Sequence, residues 1–117
     1  IAKAGGGIIN TVTAVRKAAK EQLKKLAVER ILTSLSFGVT TIEAKSGYGL
    51  DTENEIKMLK VINELNRELP VDIYATFLGA HDLPKNKPRE EYLEEILYEM
   101  ISRIAEHDLA TFIYAFC

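Results

Sequence analysis

Cysteine is nearly absent from this sequence. Cys117 is the only one among 117 residues, so no disulfide can form within the chain, and a reducing, cytoplasmic setting is the expectation. An excess of either charge is missing too: 15 Lys and Arg stand against 17 Asp and Glu, and the basic residues are scattered among carboxylates. A nucleic-acid partner needs a concentrated basic face, and none is expected here. Apolar runs stay far short of the roughly 20 residues that span a bilayer, so no membrane partner is expected either. The opening Ile1-Ala2-Lys3 and the glycines after it do not read as a signal peptide. Metal-binding spacings of the HxH, HExxH or CxxC kind do not occur, and the two histidines, His81 and His107, are far apart. No serine sits on a nucleophile elbow. Gly47-x-Gly49 lacks the third glycine and the Lys-Ser/Thr pair of a phosphate loop.

What is present is a composition with 47% hydrophobic and 27% charged residues, enough for a modest core. The glycines Gly5-Gly6-Gly7 lead into a helical pattern over 8–19. A second helix is predicted over 20–37, with Leu23, Leu26, Ala27, Ile31, Leu32 and Leu35 on one stripe and Gly38 ending it. The β-branched run from Val39 reads as a strand over about 39–45. Thr52 and Glu55 have capping-box spacing, with the Asp51 carboxylate beside them, and open a third helix. Its stripe is Ile56, Leu59, Ile62, Leu65 and Leu69, and Pro70 stops it. A second strand is predicted over about 71–78, ending in Gly79-Ala80-His81. The most regular helix carries Tyr92, Leu93, Ile96, Leu97, Met100, Ile101 and Ile104, and a third strand covers about 111–116.

Strands separated by helices of this length imply right-handed crossovers and a parallel sheet, hence an α/β fold. A doubly wound sheet and a piece of a (β/α)8 barrel fit the pattern equally well. Such apolar strands are expected to be covered on both faces. Three strands are few for either fold and leave open edges. Because the first residue is not Met and the end falls inside an apolar strand, an internal piece of a longer protein is expected.

Ligands of α/β folds meet the loops at the C-terminal ends of parallel strands. Two places qualify, 45–50 after the first strand and 79–84 after the second, and neighbouring strands put both on one rim. Tyr48, between two glycines, either presents its phenol to a ligand or packs over the helix start. His81 either bonds a ligand and moves a proton near neutral pH or caps its loop. Both can face one pocket. His107, flanked by Glu106 and Asp108, reads as solvated. Glu43 and Lys45 alternate along the first strand; either of them, if it points into a barrel centre, must be paired.

Several stretches, in order and spacing, resemble the imidazolonepropionases of the amidohydrolase superfamily. They are Gly5-Gly6-Gly7-Ile8-Ile9 with Thr11-Val12, Phe37-Gly38-Val39-Thr40-Thr41-Ile42-Glu43, Lys45-Ser46-Gly47-Tyr48-Gly49-Leu50-Asp51, Glu55-Ile56-Lys57-Met58-Leu59, Pro70-Val71-Asp72, Thr76-Phe77-Leu78-Gly79-Ala80-His81 and Phe116-Cys117. The resemblance implies a (β/α)8 barrel, of which residues 1–117 would form about strands 2–4 with their helices. It implies a metal-dependent hydrolase that opens the ring of 4-imidazolone-5-propanoate to N-formimidoyl-L-glutamate in histidine degradation. By position, Tyr48 and His81 resemble the family's substrate-binding tyrosine and histidine, which would orient the imidazolone ring and its charged tail. The metal, zinc or iron, would have its ligands outside this stretch, so no catalytic or metal-binding residue is assigned here and the isolated chain is expected to be inactive. Departures from the pattern are His81-Asp82-Leu83-Pro84 in place of His-Ala-Val-Pro, and Tyr114 where the family tends to be acidic. A homo-oligomer, or self-association through open sheet edges, is expected. The alternatives are a hydrolase of another cyclic amide or imine, a non-catalytic α/β ligand-binding module, and a bare folding fragment.

Overall fold

In the computed structural model, residues 7–115 are described. Gly5, Gly6, Phe116 and Cys117, which carry part of the resemblance, lie outside them.

The chain runs α1 (Ile8–Lys17), α2 (Lys20–Ser36), β1 (Thr41–Lys45), α3 (Thr52–Glu68), β2 (Asp72–Ala80), α4 (Arg89–Glu94), a π-helical stretch (Glu95–Met100), α5 (Ile101–Glu106) and β3 (Phe112–Ala115). The sheet is parallel throughout, in the order β1-β2-β3. The α/β class and the parallel pairing expected from the sequence are therefore present.

Strand limits differ from the sequence reading. The first strand starts at Thr41 and not at Val39, and the third runs from Phe112 to Ala115, with Phe116 outside the described residues. The second strand runs on to Ala80, through residues assigned to a loop. Its register with β3 shifts between Phe77 and Ala80, and Ala80 then pairs with Ala115. Gly79 makes this continuation possible, because a Cβ there would fall 2.3 Å from the Phe77 ring.

The expectation of two covered faces is not met. Ile42, Ala44, Ile73, Ala75 and Phe77 pack against the helices in one core with Ile56, Leu59, Leu65, Tyr92, Ile96 and Met100. Among the described residues, no helix covers the other face, where the rings of Tyr74 and Phe112 meet at a 38° tilt with centroids 6.4 Å apart and remain half exposed. The reason is geometric: two right-handed crossovers stepping the same way along a sheet return on the same side.

The helix stripes are narrower than predicted. On α2 no residue is fully buried, and Leu26 and Leu32 are 46% and 45% exposed. From α4 to α5 the helix runs on without a break, and only Tyr92, Ile96, Met100 and Ile104 are buried, while Leu93 and Leu97 face solvent. Successive steps of four residues drift by about 40° on an α-helix. The wider π turns in the middle reduce that drift and keep the four side chains over the sheet.

Candidate functional site

The loop between β1 and α3 extends the pairing of β1 with β2. Ser46 N–H donates to Thr76 O at 3.0 Å, and Leu78 N–H donates to the Ser46 hydroxyl at 3.1 Å. Gly47 then turns the chain with φ +103°, a conformation glycine tolerates and other residues resist. A Cβ at this position would meet Leu78 O at 2.7 Å and the His81 Cβ at 3.1 Å, so the turn brings the backbone directly against the end of β2.

Tyr48 and His81 are brought together by this approach. Their rings meet edge to face, with centroids 5.0 Å apart and an interplanar angle of 86°, an arrangement worth about 0.5–1.5 kcal/mol beyond the area buried. Nδ1 of His81 lies 3.1 Å from Gly47 O. Tyr48 is half buried, packs against the core and stands beside His81. They line different clefts. His81 lines an open cleft of about 270 Å³ with Asp82, Leu83 and Arg89, floored by Tyr92 and Ile96. Tyr48 stands at a larger, mostly apolar cleft of about 430 Å³ between α1, α2, α3 and β1.

Below the rim, the start of α3 is built differently from the predicted capping box. The N-cap is Asp51, whose side chain accepts from Asn54 N–H at 2.8 Å. Thr52 instead donates its N–H and hydroxyl to Glu95 Oε1, at 3.0 and 2.8 Å. Lys87 pairs with the other oxygen of Glu95. Burial works to raise the Glu95 pKa, but the hydrogen bonds from Lys87 and Thr52 outweigh it and hold the carboxyl below the ordinary range. Tyr92 is fully buried, and its hydroxyl donates to Gly79 O at 2.7 Å. Burial, reinforced by the charges of Glu55, Glu95 and Asp51, pushes its phenol pKa well up.

Glu55 was missed as a site residue. Its carboxylate is fully buried and accepts from the N–H groups of Gly47, Gly49 and Leu50, at 2.8, 2.7 and 3.0 Å. A signal was present: Glu55 falls four residues before Leu59 and seven before Ile62, a charge on the buried stripe of α3. Arg16 of α1 was missed as well, and nothing in its local sequence marks it. It donates to Gly49 O at 2.7 Å and Leu50 O at 2.9 Å, and pairs with Asp51 at 3.1 Å.

Glu43 and Lys45 point from β1 to the uncovered face and pair with each other, and the Thr76 hydroxyl donates to Glu43 Oε1 at 2.7 Å. The hydrogen bond from Lys45, then that from Thr76, lowers the Glu43 pKa. The requirement that these charges be paired is satisfied within the sheet. His107 is exposed, and its Nδ1 contacts Arg103 O at 2.9 Å. Among the described residues, no three His, Cys, Asp or Glu side chains are grouped so as to hold a metal ion, and no helix is long and apolar enough to cross a membrane.

Fold and site together define a parallel α/β unit whose C-terminal strand ends present a tyrosine and a histidine in contact. Comparison with known proteins then gives a specific likeness: the chain is similar from end to end to imidazolonepropionases. It is 48% identical to the imidazolonepropionase of Bacillus cytotoxicus over 118 aligned residues, which take in all of this chain and 28% of that protein. With the Colwellia psychrerythraea protein it shares 50% over 119 residues, again all of this chain and 28% of the relative. With that of Syntrophobacter fumaroxidans it shares 43% over 115 residues, 97% of this chain and 27% of the relative. The chain thus spans less than a third of the length of these curated relatives. No family model matches it.

Proposed function

We propose that this chain is the part of an imidazolonepropionase that contributes two substrate-binding residues, Tyr48 and His81, to the hydrolysis of 4-imidazolone-5-propanoate to N-formimidoyl-L-glutamate. The observation that carries this reading is the edge-to-face contact of the two rings at the C-terminal ends of adjacent parallel strands. There they meet the ligand side of an α/β fold, within a chain similar throughout to enzymes of that name. Helices on one face of three strands in sequential order support a place in a (β/α)8 barrel, as about strands 2–4 with their helices. The uncovered face, with Glu43, Lys45, Tyr74 and Thr76, then points to the barrel centre.

The roles of this chain are binding and orientation. Although they line separate clefts in this stretch, the phenol of Tyr48 and the imidazole of His81 are in contact at the rim. In the complete enzyme they orient the substrate's ring and its charged tail by hydrogen bonds. The metal that the resemblance implies, zinc or iron, does not fit the donors of this stretch, since no three potential ligands converge among the described residues. The complete enzyme is read as cytoplasmic and homo-oligomeric.

The test is hydrolysis of 4-imidazolone-5-propanoate by the 117-residue chain, with zinc or iron added, beside a chain extended to the full length of its relatives. Activity in the extended chain alone is expected, with KM raised by Tyr48→Phe and by His81→Gln. Metal-dependent turnover by the short chain would overturn the assignment of roles.

A further inference from the structure

A buried carboxylate is tolerated only when its oxygens are well supplied with donors. Glu55 meets that requirement entirely from the backbone of the loop before it. Oε2 accepts from Gly47 N–H, and Oε1 accepts from Gly49 and Leu50 N–H, so one carboxylate grips the amides on both sides of Tyr48. From α1, Arg16 takes the carbonyls of Gly49 and Leu50. The anion thus holds the loop by its N–H groups and the cation by its C=O groups. Leu50 is kept at φ 52° between them, a conformation a leucine seldom adopts.

The loop held in this way places Gly47 O at 3.1 Å from His81 Nδ1. A carbonyl oxygen can only accept, so the contact requires the proton to be on Nδ1. In the neutral ring the lone pair is then on Nε2. The orientation of Tyr48 and the tautomer of His81 are thereby tied to one device that holds the backbone of the loop.

We propose that Glu55, with Arg16 as its counterpart, is a positioning residue that fixes the place of Tyr48 and holds His81 as the Nδ1–H tautomer. This rests on the reading of Tyr48 and His81 as substrate-binding residues, and it names what sets their chemistry. An acceptor placed on the ring nitrogen opposite a metal or ligand is a known way for a protein to choose which imidazole nitrogen does the work.

The experiment is nitrogen NMR of the imidazole rings in this chain, whose two histidines are told apart with His81→Gln. Nδ1–H is expected for His81 in the wild type. In Glu55→Gln the amide NH2 cannot accept, so at least one N–H beside Tyr48 loses its partner. The His81 ring is then expected to move to the Nε2–H form or a mixture, while circular dichroism still reports a folded chain. A purely structural Glu55 would lower the unfolding midpoint and leave the tautomer unchanged, and that result overturns the proposal. So does an Nε2–H ring in the wild type, which needs no variant. Should Glu55→Gln not fold, Arg16→Gln loosens the same loop from its half-exposed side; a tautomer change supports the proposal and an unchanged ring overturns it. Failure of the substrate reading shows elsewhere, as an unaltered KM in the Tyr48 and His81 variants of the full-length enzyme, and leaves the tautomer result standing.

Discussion

Gly47 and Gly38 both have positive φ, at 103° and 88°, yet their surroundings differ. Around Gly38 nothing lies within 4 Å of an added Cβ, whereas at Gly47 the added atom meets Leu78 O at 2.7 Å and the His81 side chain. Gly38→Ala therefore adds backbone strain alone, about 1–2 kcal/mol. Gly47→Ala adds the same strain and a clash with the end of β2, and is expected to lose at least ~3 kcal/mol. Urea unfolding of the two variants measures the difference, and equal losses would mean that the approach to Leu78 relaxes freely. The role of this glycine was half legible. A glycine flanking Tyr48 marked a shaped loop, but only the position of β2 explains why no side chain fits there.

Helices α2 and α3 are joined by ion pairs as well as by the packing of Leu23, Ala27, Val28 and Ile31 against the core. Lys20 and Lys24 donate to the two oxygens of Glu64 at 2.7 and 3.0 Å, and Lys24 also reaches Glu68 at 2.6 Å. The hydrogen bonds from Lys20 and then Lys24 hold the Glu64 pKa down to about 2, from an ordinary value of 4.5. A carboxyl depressed in this way contributes its full stabilisation above its unfolded pKa and loses it as the pH falls through the folded value. The urea midpoint is therefore expected to decline between pH 4.5 and about 2, and Glu64→Gln should be less acid-sensitive than wild type in that window. Parallel curves for the two would show that the ion pairs contribute nothing. Salt should weaken the same contribution, since these groups are partly exposed. At this scale the sequence was informative about which segments are helical and weak about their faces. Leucines at helical spacing in α2 marked a stripe, but the face that meets the core is Leu23, Ala27, Val28 and Ile31, and Leu26 and Leu32 stay half exposed.

Among the described residues, the three-stranded sheet has helices packed on one face and none on the other. Phe112, Ile113 and Tyr114 of β3 are 53%, 59% and 56% exposed, and Tyr74 of β2 is 46% exposed. Apolar strand surface next to an open edge is a template for association. Sedimentation velocity of the isolated chain is expected to show a size that grows with concentration. Replacing Phe112 and Tyr114 with Lys should shift it towards monomer. A wild-type monomer at all concentrations that unfolds cooperatively would count against this account of the sheet.

From the sequence alone came the order of elements and the parallel sheet, because β-branched runs divided by long amphipathic segments admit few topologies. It also marked Tyr48 and His81 as candidates, because ligand sites follow the ends of parallel strands, and the structure brings their rings into contact. The tertiary structure decided the rest. It carried β2 on to Ala80 through the packing of Phe77 under Gly79. It placed the helices on one face, turned Asp51 into the N-cap, and buried Glu55 against three amides eight or fewer residues away. Arg16 meets that loop from more than thirty residues earlier in the chain. Burial of a charge and the partners that satisfy it depend on which elements pack together, and local patterns of residue type do not carry that information.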